Sequence, residues 1–274
     1  MSEKNKEIKQ ILSLAFENHK KNNLLLAADL YKKALKIDSF HEETLYLLGT
    51  LKLQQRKYEA SEELLKKVLK INSNHLNAKH NLAYIFIEIG KHAESKRLLK
   101  EVLEVNPNHL DANYNMGNIY KFFGESEKAE EFYKKAIKIN PNNPKAFNNL
   151  GNILKDLGKF NEAIDSYEKA IHLQSNHANA YHNLANTYKQ LGEFKKAINF
   201  FKKSLQYQPF NLETFSTLID LRKDKIDFSL KQKIEKIIKE KKLSQKDIAY
   251  GNFLLSKYEF QNENYEEEFN YLLK

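Results

Sequence analysis

The chain has 274 residues, 41% hydrophobic and 30% charged, with a formal net charge of +9 and no cysteine. A mean hydropathy of -0.68 suits a chain that buries a sizeable core in water. The missing cysteines exclude disulfides, thiolate metal sites and cysteine nucleophiles together. The opening MSEKNKEIKQ is charged, and no run of about 18 apolar residues occurs, so neither a secretory signal nor a membrane span is expected and the cytoplasm is the expected location. Only 4 Pro and 8 Gly, with few β-branched runs, favour an all-α chain.

Residues 1–7 read as a flexible N-terminus. Beyond them the sequence repeats itself: LGNILKDLGKFNEAIDSYEKAI at 150–171 returns as LANTYKQLGEFKKAINFFKKSL at 184–205, a period of 34 residues. Extended without a gap, that frame gives six units, 8–41, 42–75, 76–109, 110–143, 144–177 and 178–211. With each unit numbered from 1 to 34, position 7 is apolar throughout (Leu14, Leu48, Leu82, Met116, Leu150, Leu184). Position 8 (Ala15, Gly49, Ala83, Gly117, Gly151, Ala185) and position 20 (Ala27, Ser61, Ser95, Ala129, Ala163, Ala197) are always small. Positions 4, 7, 8 and 11 make one stripe of a first helix, and 20, 24 and 27 one stripe of a second, so the small residues let two backbones approach closely. A Gly inside a helix costs about 1 kcal/mol relative to Ala, so its presence at position 8 marks a packing requirement.

From 212 to 274 the pattern degrades into a helical extension. LETFSTLIDLRK starts like another first helix but meets Lys223–Asp227 instead of a second. Between Arg222 and Lys246 ten Lys/Arg oppose four Asp/Glu. Without interleaved aromatics this basic span reads as a solvated helix, and nucleic acid is set aside as a partner. Ser229 with Gln232, and Ser244 with Asp247, have the spacing of capping boxes. In the final segment Leu255 and Ser256 fall at positions 7 and 8 and Tyr265 at 17, while Glu268 takes the small position 20. Lys274 then stands at position 26, inside a second helix, which leads to the expectation that the native chain continues into a separate domain.

The 34-residue spacing, the small residues at 8 and 20, Gly90, Gly124, Gly158 and Gly192 at the interhelix turn, and Pro107, Pro141 and Pro209 after the second helix resemble the tetratricopeptide repeat (TPR) family. The likeness is looser over 8–75, where Asn22 and Arg56 replace the turn glycine. It implies a TPR α-solenoid, a right-handed superhelix of antiparallel helix pairs whose first helices line a concave groove. The tail from Ala249, after six units and a basic helix, is similar to the region that leads into the catalytic domain of bacterial TPR-linked sulfotransferases. No nucleotide-sulfate-binding loop is present here.

Polar residues on the first helix supply the candidate site. At about 100° per residue, positions 4, 7, 8 and 11 centre on one side and positions 2, 5, 6, 9, 12 and 13 on the other, so the second set is expected to face away from the partner helix. Position 6 carries Asn81, Asn115, Asn149 and Asn183, and position 9 carries Asn118, Asn152 and Asn186. Asn is a poor helix former, and a merely Asn-rich composition would scatter it without regard to phase. A carboxamide offers a donor and an acceptor, the pair needed to grip a peptide N–H and C=O. In proteins this resembles, notably O-linked N-acetylglucosamine transferase, a comparable ladder holds extended peptide; the likeness carries that role to Asn81, Asn115, Asn149 and Asn183. Position 5 adds His80, Tyr114 and His182 to the groove and position 12 adds Lys121, Lys155 and Lys189, so acidic or tyrosine-containing peptides would suit it. The basic residues do not match the carboxylate clamp of chaperone-binding TPR proteins.

His41, His75, His109 and His177 share position 34, but helix pairs stack about 10 Å apart while a metal needs ligand nitrogens about 2 Å away, so they read as loop histidines. There is no phosphate-binding G-x-x-x-x-G-K-[ST], nucleophile elbow or H-E-x-x-H. No catalytic residue, cofactor or metal is therefore expected. The sequence points to a module that binds extended peptide or protein segments in its concave groove and recruits substrate for a larger protein; the alternatives are the N-terminal part of a TPR-linked sulfotransferase or, with less support, of a glycosyltransferase, and an architectural scaffold.

Overall fold

The computed structural model describes residues 3–240 and 243–273. Sixteen helices and no strand occur among them, as the composition and the helical period demand. The chain divides into two compact units, residues 1–139 and 140–274.

The first unit holds α1 (Glu3–Lys20), α2 (Leu24–Ile37), α3 (Glu42–Gln54), α4 (Tyr58–Ile71), α5 (Leu76–Glu88), α6 (His92–Val105), α7 (Leu110–Phe122) and α8 (Ser126–Ile139). From α3 onward each first helix fills positions 1–13 of the 34-residue frame and each second helix positions 17–30. α1 starts at Glu3, so residues 3–7, expected to precede the ordered repeats, are helical, and Ile8 is buried. The three-residue reversals need a left-handed backbone at position 15. Gly90 and Gly124 supply it with φ of 79° and 72°, and Asn22 and Arg56 are held there too, at 62° and 56°.

Within each pair, close approach follows from the small residues. Ser61 and Ser95 at position 20 donate to the carbonyls of Gly49 and Ala83 at position 8, at 2.7 and 2.8 Å. Position 7, apolar in every unit, is buried at Leu48, Leu82 and Met116, but Leu14 is 50% exposed. α3, α5 and α7 pack on the second helix of the pair before each of them, a neighbour α1 lacks among the described residues.

The second unit holds α9 (Pro144–Asp156), α10 (Phe160–Leu173), α11 (Ala178–Gln190), α12 (Phe194–Tyr207), α13 (Leu212–Arg222), α14 (Phe228–Glu240), α15 (Gln245–Gln261) and α16 (Tyr265–Leu272). α9 to α12 keep the same phase. α13 ends at Lys223 in the left-handed region, φ 55°, and α15 packs against α13, α14 and α16. Leu212, Ile219, Ile234, Ile237, Leu254 and Leu255 form the shared core. Ser244 caps α15 through the Asp247 N–H. For α14 the expected cap at Ser229 is replaced: Asp227 Oδ1 accepts from the Leu230 N–H at 2.8 Å, and Ser229 lies inside the helix. The chain reverses into α16 at Glu263, φ 60°, yet α16 buries no residue fully, consistent with a glutamate at its close-approach position. Lys274 lies outside the described residues, as do Lys241 and Lys242 of the basic span.

Candidate functional site

The position-34 residues sit immediately before the first helices, and their side chains cap them. Nδ1 of His41, His75, His109 and His177 accepts from the backbone N–H three residues on, and Asn143 Oδ1 and Asn211 Oδ1 do the same. These histidines are therefore helix caps; the shared position of Asn143 and Asn211, both good capping residues, was the signal in the sequence. Among the described residues no group of three or more His, Asp or Glu could hold a metal.

In the first unit the position-6 asparagines reach back to the preceding pair. Asn81 Nδ2 donates to Thr50 Oγ1 at 3.2 Å, and Asn115 Nδ2 lies 3.3 Å from His80 Nε2. An amide N–H can only donate, so His80 Nε2 accepts and the ring is neutral. Burial, and then the neighbouring His109 (ring centroids 4.9 Å apart), hold its pKa below the ordinary value. Asn115 is buried, while Asn81 is half-buried.

The second unit repeats the device. Asn183 Nδ2 donates to Asn148 Oδ1 at 3.0 Å, and Asn148 Nδ2 approaches Asn149 Oδ1 at 3.5 Å. His182 links two elements: Nε2 accepts from Asn186 Nδ2 at 2.8 Å, so Nδ1 carries the proton toward Thr214 Oγ1 at 2.7 Å. Burial lowers its pKa.

Position 9 departs from the expectation that it faces away from the partner helix. Asn118 Oδ1 accepts from the Tyr133 hydroxyl of α8 at 2.7 Å, and Asn152 Oδ1 from the Tyr167 hydroxyl of α10 at 2.8 Å. The reason is the adjoining glycine: a Cβ at Gly117 or Gly151 would stand 2.8 or 2.6 Å from those rings, so the tyrosine lies flat across position 8 and its hydroxyl reaches position 9. Tyr114 is half-buried with its ring 5.9 Å from Tyr133. Lys121 is exposed, and Lys155 and Lys189 are half-buried.

The basic span is partly neutralised within the second unit. Lys231 pairs with the buried Glu259 at 2.6 Å, Lys246 with Glu213 at 2.8 Å and Arg222 with Asp224 at 3.1 Å.

Models of the tetratricopeptide repeat match residues 42–75, 76–109, 110–143 and 144–209 without a break, in the phase of the helix pairs above. The chain belongs to the tetratricopeptide repeat family. Its likeness to solved structures includes crystal structures of MamA (25% identity, TM-score 0.54, covering 59% of this chain and 95% of MamA) and of YrrB (19%, 0.59, 69% and 98%). It also includes Pseudomonas aeruginosa pilF (17%, 0.66, 77% and 100%). YrrB is described as a TPR protein with an unusual peptide-binding site. Against curated proteins the chain has no match. The architecture is a TPR-type helical solenoid, and TPR repeats make the chain a protein-interaction scaffold. No described helix is long and apolar enough to cross a membrane.

Proposed function

We propose that this TPR chain binds extended peptide segments along the asparagine-bearing faces of its first helices. The observation that carries the reading is the rung-to-rung bonding of position 6: one amide hydrogen of Asn81 and of Asn183 fixes the side chain against the preceding pair. A carboxamide has two donor hydrogens and two acceptor lone pairs, so a side chain held this way keeps capacity for a peptide N–H or C=O. The groups are thereby preorganised, which lowers the ordering cost of binding. Their chemistry reads backbone rather than side chain. A handful of such bonds at about 1 kcal/mol each gives an affinity of micromolar order or weaker. Half-buried lysines at 155 and 189 favour an acidic ligand, and the peptide-binding site named for YrrB supports the same class of partner.

Peptides selected from a displayed random library by the wild-type chain provide the test. Changing Asn81, Asn149 and Asn183 together to Ala should abolish their capture with helical circular dichroism intact, whereas capture that persists overturns the reading. Asn115→Ala, at a buried site, should lower stability more than capture. The likeness of the tail to the lead-in of sulfotransferase domains supports a second reading, in which the chain recruits substrate for such an enzyme. The gene sequence downstream of Lys274 tests it, by encoding or lacking a nucleotide-sulfate-binding loop.

A further inference from the structure

Two repeats carry the same framework of rings and lysines on the flank away from the asparagine rows. In 178–211, Tyr188 and Phe200 stack with centroids 5.6 Å apart, and Lys196 and Lys203 lie over them at 4.9 and 5.4 Å. In 110–143, Tyr120 and Phe132 occupy the same positions, 5.3 Å apart, under Lys128 and Lys135 at 5.4 and 4.9 Å. The difference is at position 4. Tyr181 there completes the sixth repeat, its ring 6.3 Å from Phe200 and 5.8 Å from Tyr207. The fourth repeat has Asn113 instead, drawn back by bonds from Nδ2 to the Pro107 and His109 carbonyls, both 2.9 Å.

What remains is a cleft of ≈ 270 Å³ between α6, α7 and α8, bounded by Leu103 and Pro107 on one side, Tyr120 and Phe132 on the other, and Met116. A cavity of about 150 Å³ is enough for benzene. At its mouth stand Lys100, Glu104 and Lys135, and Lys135 forms an exposed pair with Glu131 at 2.6 Å.

We propose that this cleft receives an aromatic side chain, Tyr or Phe flanked by carboxylates, from a partner protein. The ring takes the place that Tyr181 fills in the sixth repeat, stacked on Phe132 and under Lys135; one flanking carboxylate meets Lys100, and the other displaces Glu131 from its exposed pair with Lys135. Recognition of a lysine over a ring face adds to the apolar burial.

The chain has two methionines, Met1 and Met116, so methyl-labelled methionine places one reporter in the cleft. Titration with the tripeptide acetyl-Asp-Tyr-Glu-amide should move the Met116 methyl signal upfield by ring current. Acetyl-Asp-Leu-Glu-amide should not, and acetyl-Lys-Tyr-Lys-amide should bind about tenfold more weakly, as two exposed charge contacts are reversed. Asn113→Tyr, which supplies the ring from within, should abolish the shift. Lys100→Glu, at an exposed site, should reduce affinity for the acidic peptide with unchanged circular dichroism. An unmoved Met116 signal, an equal response to the leucine peptide, or a shift that survives Asn113→Tyr in a folded protein overturns the proposal. Equal binding of acetyl-tyrosine amide and the acidic tripeptide also overturns it, in favour of a site for free aromatic compounds.

Discussion

Positions 8, 9, 12 and 24 show how one atom redirects a side chain. With Gly117 or Gly151 at position 8, the position-24 tyrosine bonds the Asn at position 9. With Ala15 there, Tyr31 is turned toward His19 at position 12, 3.4 Å away, and burial raises its pKa to about 12. Where position 24 is Phe201, with no hydroxyl, Asn186 bonds His182 instead. Gly151→Ala should therefore destabilise the protein despite a helix-propensity gain of about 1 kcal/mol. Overpacking costs about 1–3 kcal/mol and the hydroxyl bond to Asn152 is worth about 1, leaving a net loss of about 1–3 kcal/mol. Urea unfolding measures it, and a rise in midpoint would contradict the packing account. The small residue at position 8 was legible in the sequence; the bond it permits was not, because helical phase assigns position 9 to a face without knowing how far a ring extends.

At the scale of elements, the caps separate what spacing reveals from what it hides. The 34-residue period locates first and second helices because buried leucines and close-approach residues impose it. The start of α14 was misread, since Ser229 with Gln232 has the right spacing while Asp227, two residues earlier, has the better acceptor at the true boundary. Asp227→Ala should cost about 1 kcal/mol of stability, and Ser229→Ala, within the helix, a few tenths at most. Equilibrium unfolding of the two variants distinguishes them. α1 shows the converse error: hydrophobic phase cannot say that Leu14 is 50% exposed, because exposure depends on neighbours rather than on Leu14.

For the whole molecule, His80, His177 and His182 set a pH response. Burial holds His80, His177 and His182 below the ordinary value near 6.5, so the unfolded chain takes up protons first as pH falls. Their contribution to stability is complete above about pH 6.5 and is lost as pH drops through the folded values. Protonation also removes the Nδ1 acceptor with which His177 caps its helix. The urea midpoint should thus fall between about pH 7.5 and about pH 5.5, and His177→Asn, which keeps a cap like Asn143, should reduce the fall. A midpoint independent of pH in that range would contradict this assignment. The fold class was readable because every repeat restates it. The candidate face was readable as a row of residues, but its internal bonding was not, since each partner lies about one period away in sequence.

The tyrosine–asparagine bonds close within a single repeat, whereas the rung-to-rung bond accepts either His80 or Asn148 on its far side. Recombination between copies of the repeat is therefore tolerated unequally along the gene. A crossover just before position 1 carries Gly151, Asn152 and Tyr167 together and rejoins a permissive seam. One at the turn near position 15 strands the asparagine opposite a leucine such as Leu65 or Leu99. Inheritance in whole 34-residue blocks, with joints at the caps, is the mode of growth this arrangement permits.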